Sequence, residues 1–485
     1  MNAIVKPGMS FGVRHETMRI GGEKITRAEV IDVFNPYTRE LVGTVPKATV
    51  DDVRHAFDYA HAYRASLTRY ERARILRRAA DMVRERTGEI AALITAESGL
   101  CKKDSLYEAG RVSDVLIFGA AEALKDDGQI FSCDLTPHGK QRRVYTQREP
   151  LLGVICAITP FNHPMNQVAH KIVPSIATNN RIVVKPSEKV PLSTCLLADI
   201  LYSAGLPPQM LQVVTGDPKD IADELITNRH VDLITFTGGV AIGKHIANRM
   251  GYRRAVLELG GNDPLIVMED ADLDEASTLA VSGSYKNSGQ RCTAIKRMLV
   301  HEAVADRFVE LLVEKSRAIR YGDPADPNTD MGTVIDEDAA IFFEAQVNDA
   351  VNRGAKLLLG NVRRGALYSP TVVDRVTPDM PLVRYETFGP VSPVIRFRDI
   401  DEAIRISNST DYGLSSSVCT NRLDYITRFI TELQVGSVNV REVPGYRLEL
   451  TPFGGIKDSG LGYKEGVQEA IKSFTNVKTY SLPWL

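Results

Sequence analysis

Short apolar runs alternate with longer amphipathic segments from residue 152 onward, and this alternation restricts the fold more than any other feature. In the first series, predicted strands lie at 153–159, 181–185, 211–215, 233–237 and 255–259, and predicted helices lie at 166–177, 193–204, 218–227 and 241–250. Strands that alternate with helices form βαβ units, whose strands are parallel. This series therefore predicts a doubly wound parallel sheet.

A second alternating series runs from residue 264 to about residue 439. Its predicted strands lie at 264–267, 298–301, 391–397, 415–420 and 437–440, and its predicted helices at 276–285, 304–320, 337–353, 400–408 and 424–433. A chain of 485 residues is too long for one compact core. We therefore expect two doubly wound α/β domains.

The remaining segments predict helices and a small β extension. Apolar positions at three- and four-residue spacing indicate helices at 51–64, 68–95 and 103–123. A hairpin is predicted at 128–148, and the tail 476–485 is predicted to be a strand. Because the edges of such a hairpin can pair with another subunit, we predict domains at 1–127 with 150–261, at 262–467, and an oligomerisation unit at 128–149 with 468–485.

Composition excludes several classes of function. A net charge of −2 argues against nucleic acid or a membrane surface as a partner. No apolar run approaches the roughly 20 residues of a membrane span, and residues 1–6 lack the apolar core of a secretory signal. The six cysteines form no C-x-x-C pair, so we predict neither a metal site nor a disulfide framework, and a cytoplasmic location.

Cys292 is the candidate nucleophile. It follows a Ser-Gly-Gln-Arg segment that predicts a loop, and it precedes an apolar run. The adjacent Arg291 is predicted to favour the thiolate, which is the attacking form. Taken alone, a free cysteine is more often a small buried apolar residue.

Four segments together carry a resemblance. They are 159–164 (Thr-Pro-Phe-Asn-His-Pro), 257–261 (Leu-Glu-Leu-Gly-Gly), 289–293 (Gly-Gln-Arg-Cys-Thr) and 386–390 (Glu-Thr-Phe-Gly-Pro). In this order they resemble the aldehyde dehydrogenase superfamily, over about residues 34–455. The resemblance implies the aldehyde dehydrogenase fold, oxidation of an aldehyde by a nicotinamide cofactor, and a homodimer or homotetramer.

The resemblance also implies catalytic roles. Cys292 attacks the aldehyde, and Asn162 and the backbone N–H of Cys292 stabilise the resulting oxyanion. Glu258 activates the water that hydrolyses the thioester, and its flanking leucines are predicted to raise its pKa by desolvation. Two alternatives stay open: Asn162 is a turn residue, and Glu258 is a strand residue paired with Arg253 or Arg254.

The cofactor site is predicted at the carboxyl ends of the first series of strands, although no G-x-G-x-x-G motif is present. Lys185 and Glu188 match the positions that hold the adenosine ribose, or they form an ordinary ion pair. A carboxylate there repels a 2′-phosphate, so NAD is predicted over NADP. The family often has Ser where this chain has Gly239, which leaves one phosphate contact in doubt. The predicted cofactor residues are Thr159, Pro160, Lys185, Ser187, Glu188, Gly216, Thr237, Gly238, Gly239, Leu259, Gly260, Glu386 and Phe388.

The predicted substrate residues are mainly cationic: Arg111, His163, Arg291, Thr293 and Arg447. Separately, each charge would be a surface or structural group. Together they are similar to a pocket for an anionic head group, bound by bidentate hydrogen bonds.

The set is most similar to enzymes that oxidise phosphonoacetaldehyde to phosphonoacetate. Non-phosphorylating oxidation of glyceraldehyde 3-phosphate, and oxidation of lactaldehyde or succinic semialdehyde, are the alternatives. A CoA-acylating enzyme and an inactive structural member are further alternatives, against which Glu258 and the intact Cys292 and Asn162 argue.

Overall fold

The computed structural model describes residues 12–462 and 464–483. The expectation for residues 1–6 and the last two residues of the predicted terminal strand lie outside this part of the chain. Within it, the two predicted α/β series and the β extension are present, so the predicted fold class is confirmed.

The strands, in chain order, are Arg14–His15 (β1), Met18–Ile20 (β2), Glu23–Ile25 (β3), Val30–Phe34 (β4), Leu41–Pro46 (β5), Ile130–Ser132 (β6), Arg142–Pro150 (β7), Val154–Ile158 (β8), Ile182–Lys185 (β9), Leu211–Val213 (β10), Val231–Thr237 (β11), Arg254–Glu258 (β12), Asp263–Val267 (β13), Ile295–His301 (β14), Lys356–Leu359 (β15), Arg363–Arg364 (β16), Leu367–Tyr368 (β17), Thr371–Asp374 (β18), Val391–Phe397 (β19), Tyr412–Gly413 (β20), Ser415–Cys419 (β21), Ser437–Val440 (β22), Ile456–Lys457 (β23) and Thr475–Pro483 (β24).

The α-helices are Val50–His61 (α1), Arg69–Glu85 (α2), Thr87–Ser98 (α3), Lys102–Ala123 (α4), Asn166–Ala177 (α5), Leu192–Ser203 (α6), Pro218–Thr227 (α7), Val240–Arg249 (α8), Leu273–Tyr285 (α9), Glu302–Arg317 (α10), Glu337–Asn352 (α11), Pro381–Arg384 (α12), Ile400–Asn408 (α13), Leu423–Glu432 (α14) and Val467–Ser473 (α15). Within the part of the chain that the structure describes, no helix is both long enough and apolar enough to cross a membrane.

The first large sheet has seven strands in the order β12-β11-β8-β9-β10-β2-β3. The strands from β12 to β10 are parallel, and β2 and β3 extend the sheet as antiparallel edge strands. Helices α5 and α6 pack on it and are apolar along most of their length. The parallel strands therefore end at one edge, where ligands bind in open α/β sheets.

The second large sheet has the order β15-β18-β19-β14-β13-β21-β22, and only β15 is antiparallel. The buried Arg297 on β14 joins this sheet to its surroundings. Its guanidinium donates to the carbonyl oxygens of Asn262 at 2.8 Å, Ile406 at 3.1 Å and Ser407 at 3.2 Å. These bonds fix the segment that leads into β13, next to the predicted base.

The third sheet has the order β24-β7-β6. The predicted hairpin is present, and its longer strand β7 pairs antiparallel with the C-terminal strand β24 along its whole length. One edge of the predicted hairpin is therefore taken by the chain's own tail. Strand β6 remains at the opposite edge and exposes Ile130 and Phe131.

The sequence prediction missed several elements, among them α12, α15, β20 and β23. It gave one helix for 68–95, whereas the chain breaks at Arg86 (φ −105°, ψ 14°) between α2 and α3. It also missed the N-terminal strands β1–β5 and the strands β15–β18. These strands are only two to six residues long, too short to show a clear alternating pattern.

Candidate active site

The carboxyl ends of β8 and β12 and the loop before β14 border one cavity of about 480 Å³. It is lined by the three predicted catalytic residues, Asn162, Glu258 and Cys292, together with Glu386 and Phe388. Residues far apart in sequence meet here because parallel strands of each sheet end at the same edge.

The loop before Cys292 has a strained backbone. Asn287 and Ser288 both have φ of 54°, in the left-handed region that non-glycine residues rarely adopt. Asp104 accepts a hydrogen bond of 2.8 Å from the backbone N–H of Asn287, and the Asn287 amide donates to the carbonyl oxygen of Asn162 at 3.3 Å. These contacts hold the loop, and the cysteine that follows it, in one conformation.

Two glycines allow the predicted motifs to approach each other. Gly289 has φ of 73°, and a Cβ there would collide with the backbone of Gly389. A Cβ on Gly260 would collide with the carboxylate of Glu386. The cysteine loop and the segment after β12 therefore both pack directly against the Glu-Thr-Phe-Gly-Pro segment.

Cys292 is half-buried in its loop. The pKa of the Cys292 thiol is raised to about 11, mainly by burial; Lys296 and Arg447 act to lower it, and the carboxylates of Asp263 and Glu386 act to raise it. In line with the expectation for Arg291, the Cys292 thiolate acts to raise the pKa of Arg291, so the two charges favour each other. The cation with the largest lowering effect on the thiol pKa is Lys296, four residues after the cysteine.

Asn162 is buried and in contact with the cysteine loop. Its side-chain nitrogen donates to the carbonyl oxygen of Gln290 at 2.9 Å. A primary amide carries two N–H donors, so the second remains for another acceptor in the cavity. Asn162 is thus more than a turn residue.

Glu258 is buried at the end of β12, and neither carboxylate oxygen has a hydrogen-bond partner within residues 12–462 and 464–483. Burial, followed by the nearby carboxylate of Glu465, raises its pKa well above the ordinary value, as predicted. Pairing with Arg253 or Arg254 does not occur, since both guanidinium groups bond to other residues.

A buried charge pair beside Glu258 was missed by the sequence prediction. Lys171 on α5 donates to Glu465 at 2.5 Å and to the hydroxyl of Thr235 at 3.1 Å. Although burial acts to raise it, Lys171 and His170 lower the pKa of Glu465. The sequence carried a signal for this charge pair, because Lys171 lies in a predicted helix that has no other lysine, arginine or carboxylate.

Eight of the predicted cofactor residues line the cavity: Pro160, Thr237, Gly238, Gly239, Leu259, Gly260, Glu386 and Phe388. The other five, Thr159, Lys185, Ser187, Glu188 and Gly216, lie outside it, after or at the ends of β8, β9 and β10. Lys185 is buried and donates to Glu188 at 3.0 Å, so the predicted ion pair is present.

The cavity suits a dinucleotide at three points. Among the described residues, the buried hydroxyl oxygen of Thr237 has no hydrogen-bond partner, and Gly239, the residue before α8, supplies no side-chain cap, which leaves N–H donors for a phosphate. Open space surrounds the missing Cβ of Gly239. Glu386 accepts from the N–H of Gly261 at 3.1 Å, beside the ring of Phe388.

Helix α11 and its preceding loop form a wall that the sequence prediction missed. The residues of this wall are Ile335, Asp336, Asp338, Ala339, Phe342 and Phe343. The other lining residues that were not predicted are Phe161, Gln167, Lys189 and Gln290. Sequence spacing gave no sign of this contact, because α11 belongs to the second α/β series.

None of the five predicted substrate residues lines this cavity. Arg111 on α4 instead donates to Glu449, which also bonds to the ring of His170 at 2.5 Å. Although burial acts to raise it, His170, Arg111 and Arg447 hold the pKa of Glu449 well below its usual range. Glu449 was not predicted, and it neutralises part of the expected positive charge.

Arg447 stacks on the ring of Phe453, with 3.8 Å between the guanidinium carbon and the ring centroid. Its Nη1 atom is buried and has no hydrogen-bond partner within the described residues. Arg291 and Thr293 both lie against Gly445, two residues before Arg447. The Arg291 side chain therefore lies against the 443–449 segment that carries Arg447.

Two further groups lie beside Arg291. Burial, followed by the charge of Arg111, lowers the pKa of Arg291, which shows that the two cations are close. Lys286, unassigned by the sequence prediction, lies 3.4 Å from the Tyr107 ring centroid. Burial and the charge of Arg291 lower the pKa of Lys286 to about 8.

His163 differs from its expected role as a cation of the anion pocket. Its Nδ1 atom lies 3.0 Å from the side-chain nitrogen of Asn287 and 3.5 Å from Glu108. Burial lowers the pKa of His163, which favours the neutral ring. His163 thus helps to stabilise the strained loop at Asn287 and Ser288.

Comparison with known proteins agrees with this geometry. Residues 24–480 match the model of the aldehyde dehydrogenase family. The chain is 38% identical over 464 residues to 3-sulfolactaldehyde dehydrogenase of Priestia aryabhattai, covering 96% of this chain and 97% of that protein. It is 37% identical to sulfoacetaldehyde dehydrogenase of Neptuniibacter caesariensis, covering 92% and 98%.

A solved structure gives the same result. NADP-dependent glyceraldehyde-3-phosphate dehydrogenase from Bacillus halodurans C-125, in complex with NADP, superposes with a TM-score of 0.94 at 37% identity, covering 97% of this chain and 99% of that one. Motifs, fold and cavity therefore lead to one family. The chain belongs to the aldehyde dehydrogenase family, the oxidoreductases that act on aldehydes with NAD or NADP.

Proposed function

We propose that the protein oxidises a small anionic aldehyde to its acid through a covalent intermediate on Cys292. The observation that carries this proposal is the single cavity lined by Cys292, Asn162, Glu258 and Glu386. It combines a thiol, an amide donor and an unpaired carboxylate, which are the groups that acyl transfer from an aldehyde requires. A bound nicotinamide dinucleotide supplies the hydride acceptor.

The first steps belong to Cys292 and Asn162. The thiolate attacks the carbonyl carbon, and the thiol proton leaves to solvent. The developing alkoxide accepts hydrogen bonds from the free N–H of Asn162 and the backbone N–H of Cys292. Loss of hydride from this tetrahedral thiohemiacetal leaves a thioester on the sulfur.

The second half belongs to Glu258. Its unpaired carboxylate takes a proton from water, which attacks the thioester carbonyl and releases the acid and the thiol. Because the pKa of Glu258 is raised, the base form is present only above an elevated pH, and deacylation accelerates as pH rises through that pKa. A raised Cys292 pKa acts in the same direction on acylation.

For the substrate, we propose an aldehyde with a phosphonate or a sulfonate head group. Arg111, Arg291 and Arg447 carry positive charges; Glu449 pairs with Arg111, and the carboxyl groups of Asp104 and Glu108 lie near Arg291 and Arg111. The Nη1 atom of Arg447, which has no partner within the described residues, suits an oxyanion. The arginines favour phosphonoacetaldehyde, and the relatives that act on sulfoacetaldehyde and 3-sulfolactaldehyde make those aldehydes the second candidates.

We also propose that the sheet of β6, β7 and β24 joins two copies of the chain into a homodimer or homotetramer. Its support is the exposed apolar surface of Ile130, Phe131 and Leu482 on a sheet that lies apart from both large sheets. Edge strands of this kind pair readily with another chain.

Replacing Glu258 by Gln should separate the two halves of the reaction. We expect a burst of reduced cofactor close to one per active site, followed by a slow steady state, because Gln cannot accept the proton of water. Stopped-flow absorbance at 340 nm (roughly the reduced-nicotinamide band) measures both phases.

The matched control is Cys292→Ala, which should bind cofactor but show neither phase. A single slow phase without a burst in Glu258→Gln would contradict the assigned role of the base.

Replacing Arg447 by Ala should impair anionic substrates selectively. Hydrogen bonds to a charged group contribute about 1.5–3 kcal/mol, so kcat/KM for phosphonoacetaldehyde should fall roughly ten- to a hundredfold relative to propanal. The ratio to propanal corrects for the effect of Arg447 on Cys292. Steady-state assays should include sulfoacetaldehyde, 3-sulfolactaldehyde, lactaldehyde, succinic semialdehyde and glyceraldehyde 3-phosphate, with and without CoA.

Arg441→Ala is the control, since Arg441 is exposed and pairs with Glu275. Equal losses on propanal and on every anionic aldehyde would mean that Arg447 is structural. A requirement for CoA would instead indicate an acylating enzyme.

For the cofactor, we propose NAD. Glu188 is bonded to the buried Lys185, so its carboxylate is fixed at the end of β9, where it would repel a 2′-phosphate. Glu188→Gln should therefore lower KM for NADP and narrow the preference for NAD, as measured by kcat/KM for both cofactors. Preference for NADP by the unaltered protein would overturn this assignment and would match the relative that was solved with NADP.

A further inference from the structure

Lys296 occupies an unusual position directly behind the nucleophile. It is the second residue of β14, and only 2% of its surface is exposed. A lysine is almost never fully buried without partners, because removing an ammonium from water is costly. The neighbours of this ammonium therefore indicate what it does.

The ammonium of Lys296 contacts both functional halves of the cavity. It donates to the backbone carbonyl oxygen of Arg291 and, at 3.5 Å, to that of Cys292. On its other side it lies 3.6 Å from a carboxylate oxygen of Glu386 and 5.2 Å from the ring centroid of Phe388. One side chain thus joins the nucleophile loop to the segment assigned to the nicotinamide ribose.

Lys296 is the cation with the largest effect on the Cys292 thiol. Besides Lys296, the charged groups that act on Cys292 are Asp263 and Glu386, which disfavour the thiolate, and Arg447 and the adjacent Arg291, which favour it. Without Lys296, the thiol would still face the two carboxylates but would lose the cation with the largest effect on it. Attack by the thiolate would then be disfavoured further.

We propose that Lys296 is a positioning residue that couples the cofactor site to the nucleophile. Its ammonium fixes the backbone on both sides of the Arg291–Cys292 peptide, orients Glu386 toward the cofactor, and favours the thiolate. Coupling follows from geometry, because a shift of Glu386 changes how much of the Lys296 charge is neutralised beside the sulfur. This inference rests on the proposed function for the role of Cys292 but is independent of which aldehyde is bound.

The test is the pH dependence of Cys292 alkylation by iodoacetamide, which needs no aldehyde. Peptide mass spectrometry reads Cys292 separately from the five other cysteines. In Lys296→Met, a replacement of similar length without charge, we expect the midpoint of the profile to rise by about one pH unit. That shift corresponds to about tenfold slower alkylation near neutral pH. The KM for the cofactor should rise in parallel.

The control is Lys472→Met, whose ammonium is exposed and pairs with Glu469; it should leave the profile unchanged. An unchanged alkylation profile in Lys296→Met would overturn the proposal. If Cys292 in the unaltered protein were not alkylated at all, the nucleophile assignment itself would fail, so the two failures are distinguishable.

A second variant covers the case in which Lys296→Met does not fold. Glu386→Gln removes the carboxylate that neutralises Lys296 and that disfavours the thiolate. The proposal predicts a profile shifted to lower pH in this variant, with weaker cofactor binding. A profile that stays in place, or that moves to higher pH, would contradict it.

Discussion

Burial of ionisable groups is the constraint on which the site depends. Glu258 and Asp263 are buried and Cys292 is half-buried, and burial is the largest cause of the raised pKa of each. A protonated thiol and a protonated acid are poor reagents, so the neighbouring cations decide whether the reactive forms are accessible. Lys171, Lys296 and Arg447 supply that charge from three different elements.

The two large sheets provide the geometry for this chemistry. Glu258, the proposed base, lies at the end of β12 in the first sheet, whereas Cys292, the proposed nucleophile, lies on the loop that enters β14 of the second. Their approach requires a close contact between backbones, which Gly261 allows, because a Cβ there would collide with the carbonyl oxygen of Cys292. The strained residues Asn287 and Ser288 are stable there because Asp104, Asn162 and His163 bond to the same loop.

Much of the fold could be predicted, because long periodic segments carry their own signal. Helices α5, α7 and α13 and strands β19 and β22 have the predicted bounds. Motif matching identified Cys292, Glu258 and Asn162, and their meeting in one cavity agrees with that prediction.

The electrostatic partners could not be predicted, since they depend on contacts between distant segments. Glu449 and Glu465 lie in a loop-rich region near the C-terminus, yet they bond to Arg111, His170 and Lys171 on helices that come some 300 residues earlier. Adjacency in sequence pointed to Arg291, which interacts with Cys292 and also lies near Arg111 and Gly445, but it did not point to the larger effect of Lys296. Lys296 acts on the thiol from the buried strand β14, and the sequence alone gives no indication of its partners.

In the proposed mechanism, an acyl group is carried on Cys292 until water activated by Glu258 releases it. The most direct measurement is intact-peptide mass spectrometry of Glu258→Gln quenched in acid after mixing with aldehyde and cofactor. We expect the peptide containing Cys292 to gain the mass of the substrate acyl group, and we expect no such gain in Cys292→Ala. An unmodified Cys292 peptide under conditions where reduced cofactor has formed would contradict it.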